Sequence, residues 1–185
     1  MSAPALKIKS LFTAVDTTGD ILRISFFAII TVIAAQISIP VQPVPFTLQS
    51  VAVILAGVML GSKKGAISQI IYLMLGIIGL PVFAMSADPT LGVARLIGPT
   101  GGYLLAFPIA AYFSGFIVEK FKGSFSLISA IFAGNALILI SGVAFLNTFY
   151  LNDINQALVA GVGIFGIWSV VKMALTFGIF KAVKK

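Results

Sequence analysis

At 185 residues, with 59% hydrophobic and only 9% charged side chains and a mean hydropathy of +1.14, the chain is unlike a soluble domain, where about a quarter of residues are charged. It reads as an integral membrane protein, and the absence of cysteine and histidine excludes disulfides, thiol chemistry, and the commonest general base and transition-metal ligand. The net charge of +7 reports membrane topology rather than nucleic-acid binding, since lysine and arginine mark the cytoplasmic side of a membrane protein.

Taken in order, residues 1–20 carry Lys7 and Lys9 and a short apolar run broken by Asp16, Gly19 and Asp20. That run is too short for a signal-peptide core, so the segment reads as a cytoplasmic arm or an interfacial helix. Six long apolar runs follow, at 24–39, 46–61, 65–80, 99–118, 125–150 and 157–180. A membrane-crossing helix needs about 20 residues. The second and third runs are short, so each either spans with help from snorkelling lysines or has one irregular end buried in protein.

The connections alternate in charge. Lys7, Lys9 and Arg23 precede the first run, and Lys63 and Lys64 separate the second and third. Lys120 and Lys122 separate the fourth and fifth, and Lys181, Lys184 and Lys185 follow the sixth. The other connections, 40–45, 81–98 and 151–156, hold Arg95 as their one basic residue. This positive-inside pattern predicts an all-α integral membrane protein. Its single domain, 1–185, is a bundle of six transmembrane helices with N- and C-termini cytoplasmic. It also predicts that Pro40, Pro43 and Pro45 make a stiff extended crossover between the first two helices, because proline fixes φ and removes donors. The stretch GPTGGY (98–103) then lies at the outer mouth of the fourth helix.

Few polar residues stand out in the apolar runs and their outer connections, and Lys172, Arg95 and Asn135 each have two readings. Lys172 either snorkels to the inner headgroups or faces the bundle interior and meets an anion. Trp168 and Ser169, one turn before it, can share its face. Arg95 is either solvated at the outer headgroups or offers its guanidinium fork to a carboxylate. Asn135 in the fifth run either glues two helices or hydrogen-bonds a ligand. Asp153 reads as a solvated loop acid and Asp88, beside Pro89, as turn chemistry. No nucleophile elbow, phosphate loop, zinc motif or paired helical carboxylates occur, so any ATP-driven work requires a partner. No helix carries the polar stripe of a channel. The remaining inventory suits a pocket for a small, mostly apolar molecule with a polar handle.

Three stretches, AQISIPVQPVPFTLQS (35–50), GLPVFA (79–84) and GPTGGYLLAF (98–107), in this order and spacing, closely resemble the BioY family. Its members are the biotin-specific substrate-binding (S) components of energy-coupling factor (ECF) transporters. The resemblance implies a multi-pass protein of the bacterial cell membrane that captures biotin from outside. It implies as partners a transmembrane coupling protein and two cytoplasmic ATPases, and it implies neither an enzyme, a cofactor nor a metal. Small residues on the first helix are the family's docking surface. Here Ala28, Thr31 and Ala35 stand in place of its A-x-x-x-A. In the sixth helix the family reads PF-x-P-G-D-x-x-K. This chain keeps Lys172 but has Trp168 for the glycine and Ser169 for the aspartate, so the aspartate's role passes to Ser169, Asn135 or Asp153.

Biotin's chemistry distributes over these residues. Trp168, Tyr103 and Phe83 can cover the thiophane ring, and Asn135, Ser169, Thr47, Gln49 and backbone groups can serve the ureido group. Arg95 or Lys172 can take the carboxylate. The favoured assignment puts Arg95 at the mouth with the carboxylate and Lys172 deeper. Thr100 can cap the fourth helix or donate, Gly101 and Gly102 can let a ligand approach the backbone, and loops 40–46 and 81–98 can close over it. The alternatives are an S component for a different small vitamin and, from another class, a stand-alone channel or enzyme.

Overall fold

The computed structural model describes residues 18–85, 91–163 and 166–183. Most of the N-terminal arm, Asp88, Lys184 and Lys185 lie outside the described residues. The chain is mostly helical. Helix α1 (Thr18–Gln36) leads to a two-stranded ribbon, β1 (Ser38–Ile39) and β2 (Phe46–Thr47), and then to α2 (Gln49–Leu60) and α3 (Ser62–Ile77). A short α4 (Val93–Ile97) precedes α5 (Gly101–Lys120) and α6 (Ser124–Leu146), which continues through a π turn to Leu151. Then come α7 (Ile154–Leu158) and α8 (Gly166–Val183). Among the described residues, Thr18–Gln36, Gly101–Lys120 and Ser124–Leu151 are long and apolar enough to cross a membrane.

Helix α2 has only 12 residues, and every one from Gln49 to Val58 is buried. A helix apolar on all sides belongs in the interior, and α1, α3, α5, α6 and α8 all pack against α2. Its short length follows from the irregular, buried start of the second apolar run, one of the two readings open from the sequence. The prolines do not build an extended crossover. The chain folds back antiparallel, Ser38 opposite Thr47 and Ile39 opposite Phe46, and buries residues 44–47 against the bundle. Three prolines stiffen the bend, but the burial of Val44 and Phe46 in the apolar core directs it inward.

The lysine-bearing helix ends gather at one end of the bundle. Lys64 pairs with Asp20 at 2.7 Å. Glu119 accepts hydrogen bonds from the Ser62 backbone N–H at 2.8 Å and from its hydroxyl at 2.7 Å. Between these contacts the backbones nearly touch. A Cβ on Gly57 would lie 2.2 Å from the Ala111 carbonyl oxygen, and one on Gly115 would lie 2.4 Å from the Ser62 nitrogen. Phe27, Ile54, Leu55, Leu127 and Ile131, with Phe177 and Phe180 of α8, fill this end.

Ala28, Thr31 and Ala35 are turned into the protein rather than outward, at 2%, 0% and 0% exposure. Their small size lets α1 close on α3, and the Thr31 hydroxyl donates to the Phe27 carbonyl at 2.9 Å and meets the Gln69 amide. The row they were expected to offer a partner is therefore already used inside the chain. The exposed face of α1 carries Leu22, Phe26, Ile29 and Ile33 instead.

Candidate functional site

At the end opposite the lysines, the N-termini of α2 and α5 converge with the ribbon, segment 83–84, α4, α6 and α8 around one cavity. It encloses about 650 Å³ of empty space, the solvent at its mouth included. Phe83, Tyr103, Leu104, Phe107 and Ile138 supply apolar walls, with Asn135 on α6 and Ser169 and Lys172 on α8.

A hydrogen-bond network holds these walls in place. The Thr47 hydroxyl donates to the Gln49 side-chain oxygen at 3.0 Å and receives the Gln49 backbone N–H at 3.3 Å. The Gln49 amide donates to the Tyr72 hydroxyl, which donates to the Val82 carbonyl at 3.3 Å. From α1, the Gln36 amide reaches the Val82 and Phe83 carbonyls at 3.5 and 3.4 Å. Segment 79–85 has few bonds of its own and is thus tied down from three helices. Gly76 completes the seat: a Cβ there would meet the Phe83 ring at 2.0 Å. The Tyr72 ring packs edge-on to Phe83 at 5.5 Å.

Two cations line the cavity. Arg95 is 5% exposed and donates to the Ala84 carbonyl. Lys172 is 7% exposed, and its ammonium sits 4.7 Å from the Phe46 ring centroid. The ammonium therefore points to the ribbon and the cavity, not along α8 to the lysine end, which removes the snorkelling reading. Of the described acids, Asp20 is paired with Lys64, Glu119 holds Ser62, and Asp153 accepts from the Asn155 and Gln156 backbone N–H groups. None lines the cavity. Two buried cationic side chains in one cavity wall give it positive potential.

The structure thus brings Arg95, Lys172, Asn135, Ser169, Tyr103, Thr100, Phe83, Thr47 and Gln49 to one cavity. Four other expected site residues are elsewhere. Trp168 is half exposed and packs its edge on Phe46, 5.1 Å between centroids, behind the wall. Asp153 caps α7. Gly101 and Gly102 serve packing rather than ligand approach. Added Cβ atoms would strike the Leu96 carbonyl oxygen at 1.9 Å and the Phe145 Cβ at 2.3 Å. Thr100 is the residue before α5, but its side chain makes no capping bond.

Sequence reasoning missed Ser50, Phe107, Tyr72 and Gln36. A phenol in the otherwise aliphatic 70–78 stretch was the available signal for Tyr72. Phe107 and Ser50 sit in quoted motifs, yet their facing depends on helix rotation, which an all-apolar run does not display.

Residues 6–185 match the BioY family. A biotin transporter BioY of Thermotoga maritima is 39% identical over 168 residues, which covers 90% of this chain and 96% of that protein. A probable biotin transporter BioY of Pyrococcus horikoshii is 39% identical, covering 84% of this chain and 90% of its own. Among solved structures, the S-component for biotin from an ECF-type ABC transporter superposes with a TM-score of 0.80 at 24% identity, over 100% of this chain and 95% of that one. That last likeness is one of fold.

Proposed function

This chain belongs to the BioY family, and from that membership we infer that it binds and transports biotin as the S component of an ECF-type uptake system. The observation that carries the reading to particular residues is the aromatic-walled cavity with Arg95 and Lys172 in its lining. Biotin offers a carboxylate, an apolar fused ring and a neutral ureido group. Arg95, whose planar fork suits a carboxylate, holds that group. Lys172 adds positive potential on the ribbon side of the cavity. The ring lies among Phe83, Tyr103 and Phe107, and Asn135 and Ser169 face its polar edge.

The topology proposed is six spans with both ends of the chain in the cytoplasm of a cell-membrane protein. Lys63, Lys64, Lys120, Lys122 and Lys181 sit at the bundle end away from the cavity, as the positive-inside rule requires of a cavity open to the outside. The chain carries no phosphate-binding loop. As membership in the family implies, energy comes from a coupling protein and two ATPases that reorient the loaded protein. Biotin draws the ribbon and the described segments 81–85 and 91–98 inward over the cavity.

Titration of the purified protein in detergent with a panel of vitamins tests this. Saturable one-to-one binding of biotin, without ATP hydrolysis, is expected. Binding of another vitamin with no response to biotin overturns the specificity and leaves the scaffold reading in place.

A further inference from the structure

The cavity's polar side chains differ in how much of their hydrogen-bonding capacity the protein itself uses. Thr47 and Gln49 bond each other, and Gln49 also bonds Tyr72. Asn135 gives one N–H to the Ile131 carbonyl at 3.0 Å. Ser50 and Thr100 stand apart. Each is 9% exposed, each lines the cavity, and each hydroxyl oxygen is shut off from solvent with no partner among the described residues. A buried hydroxyl without a partner is unfavourable and uncommon. Two in one cavity point to something that enters it.

Their positions say what kind of group that is. Ser50 is in the first turn of the 12-residue α2, and Thr100 immediately precedes the 20-residue α5. Neither N-cap residue makes a side-chain cap, and on α2 the Thr47 hydroxyl takes only the Gln49 N–H. First-turn N–H groups have no intrahelical acceptor and carry partial positive charge, so an oxygen acceptor is favoured there over a donor. A carbonyl oxygen has two lone pairs, which two hydroxyl donors can fill. Arg95 and Lys172 already provide for the carboxylate.

We propose that Ser50 and Thr100 form a two-hydroxyl clamp on the ureido carbonyl oxygen of the bound ligand. The clamp rests on the biotin reading above. It makes Ser50 a specificity residue, because a ligand lacking that oxygen leaves two buried hydroxyls unmatched. The walls around it are positioned by Thr47, Gln49 and Tyr72, which hold the α2 entrance without spending either hydroxyl.

The test measures affinity by titration for the wild type, Ser50→Ala and the isosteric Thr100→Val. The ligands are biotin, its amide (no carboxylate charge) and its cyclic thiourea analogue (sulfur, a weak acceptor, for the ureido oxygen). Each variant is expected to lose about tenfold for biotin and for the amide, the worth of one buried hydrogen bond. Each is expected to lose little or nothing for the thiourea analogue. Ser50→Thr and Thr100→Ser, which keep the hydroxyl, are expected to retain most of the affinity. Equal losses on all three ligands, or no loss on any, overturn the clamp. A loss that vanishes with the amide instead assigns the hydroxyls to the carboxylate and also overturns it. If wild-type protein binds none of the three, the biotin reading fails instead. Thermal unfolding of each variant shows whether it is folded.

Discussion

The two ends of this bundle solve opposite problems with the same kind of apolar helix. At the lysine end, Gly57, Gly65 and Gly115 let α2, α3 and α5 approach until their backbones touch. The few polar groups there are satisfied within the chain: Asp20 by Lys64, Glu119 by Ser62, and the Ser114 hydroxyl by the Ala130 carbonyl at 3.1 Å. At the cavity end, aromatic rings and a proline ribbon hold the helices apart, and Arg95, Lys172, Ser50 and Thr100 are gathered in the gap. Close packing forfeits little dispersion energy, whereas an open cavity does, so the lysine end supplies rigidity to the end that binds. Glycine in the first region and bulky aromatics in the second are the sequence basis of that division.

The sharpest way to break the comparison is to spoil the packed end. Gly57→Val drives a side chain into the Ala111 backbone and is expected to destabilise the protein by about 3 kcal/mol through overpacking. This is read as a lower unfolding temperature in detergent, with near-normal biotin affinity in the fraction that stays folded. Unchanged unfolding would mean that the glycine contact does not hold the bundle.

At the binding end the next largest effect belongs to a cation. Arg95→Ala is expected to weaken biotin about 100-fold, as removal of one member of a buried charge pair does, and to weaken the biotin amide far less. Arg95→Lys should recover part of the loss, since the charge returns without the fork. If Arg95→Ala leaves biotin affinity unchanged while Lys172→Ala abolishes it, the two cations exchange roles. Tyr72→Phe probes the wall rather than the ligand. Loss of its bond to the Val82 carbonyl is expected to cost about tenfold in affinity, with the same proportional loss for biotin and its amide. A selective loss would place the phenol in contact with the ligand.

The smallest effects mark the residues that lie outside the cavity. Asp153→Ala removes the α7 cap and is expected to lower stability by about 1 kcal/mol with biotin affinity unchanged. A tenfold loss of affinity there would return Asp153 to the site.

The mostly helical, membrane-type character was legible because apolar runs need no tertiary information. A run without charge is a helix within a membrane, since every backbone polar group must be satisfied locally. The facing of residues was less legible, for an identifiable reason. In a soluble helix the polar stripe marks the outside, but here lipid and core are equally apolar. Ala28, Thr31 and Ala35 could face either a partner or α3, and only the packing against Gln69 decides it. Gly101 and Gly102 carry the same ambiguity: a glycine admits a ligand or a neighbouring backbone, and Phe145 occupies that space. The charged residues were easier, because burying Arg95 or Lys172 demands a purpose wherever it occurs. Ser50 went unseen because a serine in a first helical turn is an ordinary cap, and its lack of a partner is visible only in three dimensions.

The central claim is that the cavity end recognises biotin through the charge of its carboxylate. Titration of the unmodified protein with biotin and with biotin amide, at one ionic strength and in one detergent, tests it most directly. Saturable binding of biotin at one site per chain, and about 100-fold weaker binding of the amide, is the predicted result. Equal affinity for the two would contradict the account, because Arg95 and Lys172 would then line the cavity without reading the ligand's charge.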